Sequence, residues 1–173
     1  MTSVGQEDPD GGTSAADALA LALAESGVDH ERLRPDAFAV RLPGEHKLFT
    51  TAVLVVGAHS LLVEAFVIRR PDENHEDFHR HLLELNARTY GVHFCVDRLG
   101  DVYLTGRLPL SAISADELDR VLGSVLTYSD SSFDRLLEIG FVTSIRKEWA
   151  WRERTGQSLA NLAAFERFAR PVE

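Results

Sequence analysis

Lys47 to Arg70 reads KLFTTAVLVV-GAHS-LLVEAFVIRR. Two runs dense in β-branched and aromatic residues flank a four-residue connection that holds Gly57 and Ser60. Branched and aromatic side chains suit a pleated surface, and a short Gly/Ser-containing link suits the turn between antiparallel strands, so the stretch predicts a β-hairpin. Both runs are more apolar than strict alternation gives. They are therefore expected to be the two central strands of a sheet covered on both faces. Glu64 interrupts the second run. It is either a residue of a solvent-facing side or a buried charge that needs a partner such as Arg41.

The flanking sequence fits around this hairpin. Upstream, Ala37 to Leu42 (AFAVRL) alternates like a strand, and Pro43-Gly44 suits the centre of a type II turn, giving a three-strand meander. Ser14 and Asp17 have capping-box spacing and predict a helix over 14–26, closed by Gly27. Residues 1–13 have little to bury and are expected to be a disordered tail. Downstream, Pro71 stops the third strand. A helix is predicted over 73–89, with Asp72 or Asn74 as its cap and Phe78, Leu82 and Leu85 as its buried stripe. Val92–Asp97 and Val102–Arg107 read as a second hairpin. Ser114 and Glu117 form a second capping box. The helix it opens keeps its apolar period to Ile139, with any break near Ser129. Two short helices, 144–155 and 158–169, follow on either side of Gly156.

The order α-β-β-β-α-β-β-α with a helical tail predicts an α+β fold, helices packed on an antiparallel sheet. The expected organisation is a tail over 1–13, an α+β domain over 14–143, and a C-terminal helical extension over 144–173 packed on the same domain. At 173 residues the chain suits one core. Its net charge of −9 opposes the phosphate neutralisation that nucleic-acid binding requires. Cys95 is the single cysteine, so no internal disulfide forms, in keeping with a reducing compartment. No apolar run reaches the length of a membrane span, and the first residues lack the basic start and apolar core of a signal peptide. A cytoplasmic protein without membrane contact is expected.

One motif carries chemistry. His75-Glu76-Asp77-Phe78-His79 matches H-E-x-x-H on a predicted helix, where two histidines one turn apart hold zinc and the glutamate activates water. This gives the alternative reading of a small zinc-dependent hydrolase with His75 and His79 as ligands. A catalytic zinc needs a third protein ligand. Glu84 lies only one turn further along the same helix, no Gly-x-x-His continuation follows, and His75 falls in the first turn. The favoured expectation is a solvated helix start with Phe78 facing the core, no metal and no cofactor. Cys95, between Phe94 and Val96, reads as core filler. No G-x-S-x-G, P-loop or G-x-G-x-x-G pattern occurs. Ser144 to Arg154 (SIRKEWAWRER) mixes tryptophan with arginine, as protein interfaces do. Arg146, Trp149, Trp151 and Arg152 are the candidate contact residues. Two positions apart on a helix, Trp149 and Trp151 cannot share one face.

RRPDENHEDFHRHLLELN, YGVHFCVDRLGDVYLTGRLPL, ADELDRVLGSVL, LLEIGF and IRKEWAWR together resemble the YbjN family in its actinobacterial form, over about residues 37–156. The resemblance implies a fold similar to type III secretion chaperones, which are typically homodimers that hold protein segments. It also implies a sensory-transduction regulator without an established enzymatic activity, so no catalytic residue carries over. The position of His79 is often aromatic in that family, which departs from a metal-binding pattern. The expected function is a non-enzymatic protein-binding or regulatory module, homodimeric, with a protein client or regulatory partner.

Overall fold

Residues 14–170 are described in the computed structural model. Helix α1 (Ala15–Ser26) precedes four strands, β1 (His30–Arg34), β2 (Ala37–Pro43), β3 (Phe49–Val56) and β4 (Ser60–Ile68). Helix α2 (His75–Asn86) leads to β5 (His93–Val96) and β6 (Val102–Pro109). Helices α3 (Ala115–Ser131), α4 (Phe133–Gly140) and α5 (Val142–Thr155) follow. The C-terminal stretch is a 3-10 segment, Ala160–Phe165, and one helical turn, α6 (Glu166–Ala169). The strands form one antiparallel sheet ordered β1-β2-β3-β4-β6-β5. This is the α+β arrangement expected, with one strand more.

The additional strand is β1. Its sequence HERLR has no apolar alternation and all five residues are exposed. It is a strand because its backbone pairs with β2 from His30–Val40 to Arg34–Ala37. Side-chain patterning carries no signal for such an edge.

The core lies between one face of the sheet and the helices. Phe38, Val40, Leu54, Leu61, Val63 and Leu104 meet Leu19, Leu23, Phe78, Val121, Val125 and Leu136, all at most 2% exposed. Each such side chain contributes about 1.5–3 kcal/mol by leaving water. Both predicted N-caps form: Ser14 Oγ accepts the Asp17 N–H (3.2 Å), and Ser114 Oγ accepts the Glu117 N–H (3.3 Å). Glu117 does not close its box. Its carboxylate accepts from Tyr90 Oη (3.0 Å) and Arg120 (3.1 Å) instead.

Several expectations change. The long third helix breaks at Ser132, whose hydroxyl donates back to the Tyr128 carbonyl (2.6 Å), a bond that bends helices. Helix α2 starts at His75. Asn74 adopts φ 50° and donates its amide to the Ile139 carbonyl (2.9 Å) rather than capping, while Arg69 takes Asp72. Residues 158–169 are not one α-helix but a 3-10 segment, Ala160–Phe165, followed by the single turn α6. Helix α5 begins at Val142, so the boundary drawn at 143/144 falls inside a helix. The tail expected over 1–13 lies outside the described residues.

Pro43-Gly44 is not a type II turn, because Gly44 does not take the positive φ that turn requires. Gly44 answers to space instead. A Cβ there would collide with the Asp130 carboxylate, around which the β2–β3 loop is wrapped.

Candidate protein-binding surface

Among the described residues, the sheet is covered on one face only. In β3 and β4, Ala52, Leu54, Leu61, Val63 and Ala65 are buried, while Thr51 and Glu64 between them are exposed and Val53 and Leu62 half-buried. Phe49 (40% exposed) and Phe66 (45%) lie on the open side. The expectation of a sheet covered on both faces fails for the described chain. β-branched residues fill these strands on both sides, yet helices occupy only one. Glu64 is a solvent-face residue opposite Val53 and Thr105, and Arg41 stacks over the Phe49 ring at 4.1 Å instead of pairing with it. Phe66 meets Tyr103 edge-on, ring centroids 5.5 Å apart. Cys95 faces this side too, since Phe94 is the β5 residue that enters the core. Burial, followed by the nearby Glu64 and Asp97 carboxylates, pushes the Cys95 thiol up, so it is not an activated thiolate.

At one end of the sheet the hairpin opens. β3 and β4 pair only from Ala52–Ala65 to Val56–Leu61. Beyond that, Phe49, Thr50 and Thr51 stay paired to β2, and Phe66 and Ile68 to β6. Lys47 Nζ reaches into the gap and donates to the carbonyls of Phe66 (3.2 Å) and Val67 (2.8 Å). The Phe66 and Phe133 rings flank it at 5.9 and 5.5 Å. Burial pulls the Lys47 ammonium below the ordinary lysine range, against the opposing charge of Asp130. The loop that carries Lys47 is shaped by Asp130 of α3, which accepts the backbone N–H groups of Glu45 (3.1 Å), His46 (3.0 Å) and Lys47 (2.8 Å). Burial pushes that carboxyl up, but the three N–H bonds together outweigh it and leave it below its ordinary value. Thr50 and Ser129, both buried, share a hydrogen bond of 2.9 Å that pins the start of β3, just after this loop, to α3.

The gap is a cleft of about 540 Å³ lined by Lys47, Phe49, Thr51, Phe66, Ile68 and Phe133. Past Ile68, Arg69 and Phe133 it meets a second, mainly apolar cleft of about 400 Å³ walled by Leu137, Phe141, Ile145 and Phe165. Arg69 sits at the junction, bidentate on Asp72 (2.6 and 2.7 Å) and 4.5 Å from the Phe141 ring. Its guanidinium holds the Asp72 carboxyl down at about 2.

The four contact residues read from sequence lie on α5 and divide as their spacing required. Trp149 is buried (6%), with Nε1 donating to Glu153 (3.0 Å); Trp151 is exposed (42%). Arg146 Nε donates to the Phe168 carbonyl (3.1 Å), and Arg152 donates to Glu148 (2.7 Å) and to the Ser158 carbonyl (3.0 Å). Arg146 and Arg152 thus bind the chain that follows α5, Trp149 is buried and bonded within the helix, and Trp151 alone is turned out.

The H-E-x-x-H residues sit on the exposed first turns of α2. The His75 and His79 rings are 6.5 Å apart, and Glu76 is paired to Arg80 (2.7 Å). No three His, Cys, Asp or Glu side chains among the described residues converge where a metal ion could be held. A third zinc ligand, needed by the hydrolase reading, is not supplied by them. Nor is any described helix long and apolar enough to cross a membrane.

This open antiparallel sheet with helices packed on one face is similar in fold to type III secretion chaperones. The ExsC–ExsE complex contains a chain that superposes with a TM-score of 0.53 at 22% identity, over 72% of this chain and 95% of that one. The chain belongs to the YbjN family, described as "Putative bacterial sensory transduction regulator", whose sequence profile matches residues 15–138. The match reaches further back than the 37–156 read from sequence and stops before the tryptophan segment. An uncharacterized protein of Mycobacterium tuberculosis is 56% identical over 131 residues, 76% of this chain and 72% of that protein. An uncharacterized protein of Mycobacterium leprae is 52% identical over 140 residues, 81% and 74% of the two chains.

Lys47, Phe66, Arg69 and Asp130 escaped the sequence reading as site residues. The one available signal was that cations, Lys47 and Arg69, bracket a mainly apolar hairpin.

Proposed function

We propose that this protein is a non-enzymatic binding module, regulatory in role, that works as a homodimer and takes a protein partner. The observation that carries this is the open sheet face: strands apolar on both sides, covered on one. Val53, Val55, Leu62, Phe49, Phe66 and Tyr103 lie on that face, and apolar groups rimmed by polar ones mark interaction sites. Glu64 and the cations Arg41 and Arg107 stand among its apolar residues. That mixture is self-complementary, as the two-fold contact of a homodimer requires. On α5, Arg146, Trp149 and Arg152 seat the segment that presents Trp151, and Trp151 makes a further contact.

Sedimentation equilibrium tests the dimer. The wild type is expected to sediment as two chains at high micromolar concentration. Leu62→Glu, in the middle of the open face, is expected to sediment as one with an unchanged circular dichroism spectrum. A wild type that stays a single chain sinks the homodimer.

A further inference from the structure

We infer that the splayed end of the β3–β4 hairpin is a docking slot for an extended peptide segment that carries a carboxylate between apolar side chains, with Lys47 giving way to it and then receiving that carboxylate. The inference rests on the protein-binding reading and says where and how a client is held.

The slot is an edge inside a sheet. Phe49–Thr51 keep strand geometry through β2, and Phe66–Ile68 keep it through β6, yet the two stretches do not pair with each other. The β4 side has a register shift between Phe66 and Ile68, which leaves Val67 without a partner on β6. Backbone groups that face a gap of this kind have one natural complement, another extended backbone, as in β-strand addition.

Lys47 occupies the place of that missing strand. Its ammonium donates to the Phe66 and Val67 carbonyls, where a neighbouring strand would offer N–H groups. A desolvated ammonium on two neutral carbonyls is a weaker arrangement than the same ammonium on a carboxylate. An incoming strand supplies the N–H donors and frees Lys47; a carboxylate on that strand gives Lys47 a better partner.

Charge points the same way. In a chain of net charge −9, the slot is lined by the Lys47 ammonium and by Arg69, which is paired with Asp72, and among the described residues by no carboxylate. The nearest acids are committed elsewhere: Asp130 to three backbone N–H groups, Asp72 to Arg69. Phe49, Phe66, Ile68 and Phe133 receive apolar side chains on either side of the acid.

The test is selection of random eight-residue peptides displayed on phage against the full-length protein, in parallel against Thr51→Trp. Thr51 is exposed, so its indole fills the slot without entering the core. Enriched peptides are expected to carry Asp or Glu between apolar residues. They are expected to bind at least about tenfold more weakly to Thr51→Trp and to Lys47→Met, the scale of one lost charge-assisted hydrogen bond. N-methylation of alternate peptide amides is expected to abolish binding. Sequences enriched equally on wild type and Thr51→Trp, or enriched without a carboxylate, overturn the slot. Binding lost in Leu62→Glu or Trp151→Ala but not in Thr51→Trp overturns the slot while leaving the protein-binding reading intact. No enrichment over bare support overturns both. Dodecanoate shares the carboxylate and the apolar chain. If it displaces the peptides, and N-methylation leaves them unaffected, the slot takes a fatty carboxylate rather than a strand.

Discussion

Asp130→Ala is the sharpest perturbation of this fold that leaves the core alone. The carboxylate accepts three backbone N–H groups of the β2–β3 loop at 2.8 to 3.1 Å. A hydrogen bond to a charged group contributes about 1.5–3 kcal/mol where water is excluded. Glu45 and His46 are exposed, so water replaces much of their share, while the Lys47 bond is part-buried. The net loss is about 2 kcal/mol, the upper end of a helix-cap deletion. For a chain of this length that lowers the melting temperature by about 4–8 °C. The pH dependence identifies the cause. A carboxyl held below its ordinary value stabilises the fold at all pH values above the unfolded carboxyl pKa, and that stability is lost as pH falls through the folded value. Wild type and variant are therefore expected to differ by a constant amount near neutrality and to converge in acid. The assay is urea unfolding by circular dichroism from neutral pH into the acid range. A gap that stays the same in acid, or a loss under about 0.5 kcal/mol at neutral pH, refutes the reasoning, since such a loss is ordinary surface scatter.

Three further outcomes are expected. Gly140→Ala should destabilise by about 1–3 kcal/mol in urea unfolding, because an added Cβ would stand 2.8 Å from Pro71 Cβ and 2.9 Å from Phe78 Cδ2 in a packed core; a neutral effect would mean that α2 and α4 can separate. An NMR titration of the Asp72 carboxyl should give a midpoint of about 2 in the wild type and return toward the ordinary range in Arg69→Met; an ordinary midpoint in the wild type would show that the bidentate pair does not persist in solution. Trp149→Ala should cost about 3–5 kcal/mol and Trp151→Ala less than about 0.5, read by thermal melting; equal costs would contradict the division of the pair between core and surface.

Where a side chain had to choose a face, the sequence was legible. The β3–β4 hairpin, the strand read over 102–107 that became β6, and the buried stripe of α2 were marked by branched and apolar residues at the right period, and both serine caps announced themselves. Strand β1 was not legible, because only its backbone takes part. The type II turn was misread because a glycine after proline signals positive φ, whereas Gly44 is needed for close approach to Asp130, 86 positions away. The open face was misread for a related reason. Apolar content says that a surface is to be covered, not whether the cover comes from the same chain. The slot was hidden most deeply, since where a ladder stops depends on how β2 and β6 hold the two strands apart.

A sheet that associates through its edges can add subunits without limit; one that associates through a face or an internal slot stops. Here the β1 edge is five exposed residues of which His30, Glu31, Arg32 and Arg34 are polar or charged, and the β5 edge is only four residues long before the Asp97 turn. Short and charged borders resist the stacking that leads to fibres. In the proposed homodimer such borders disfavour open-ended growth, leaving the face as the surface of association.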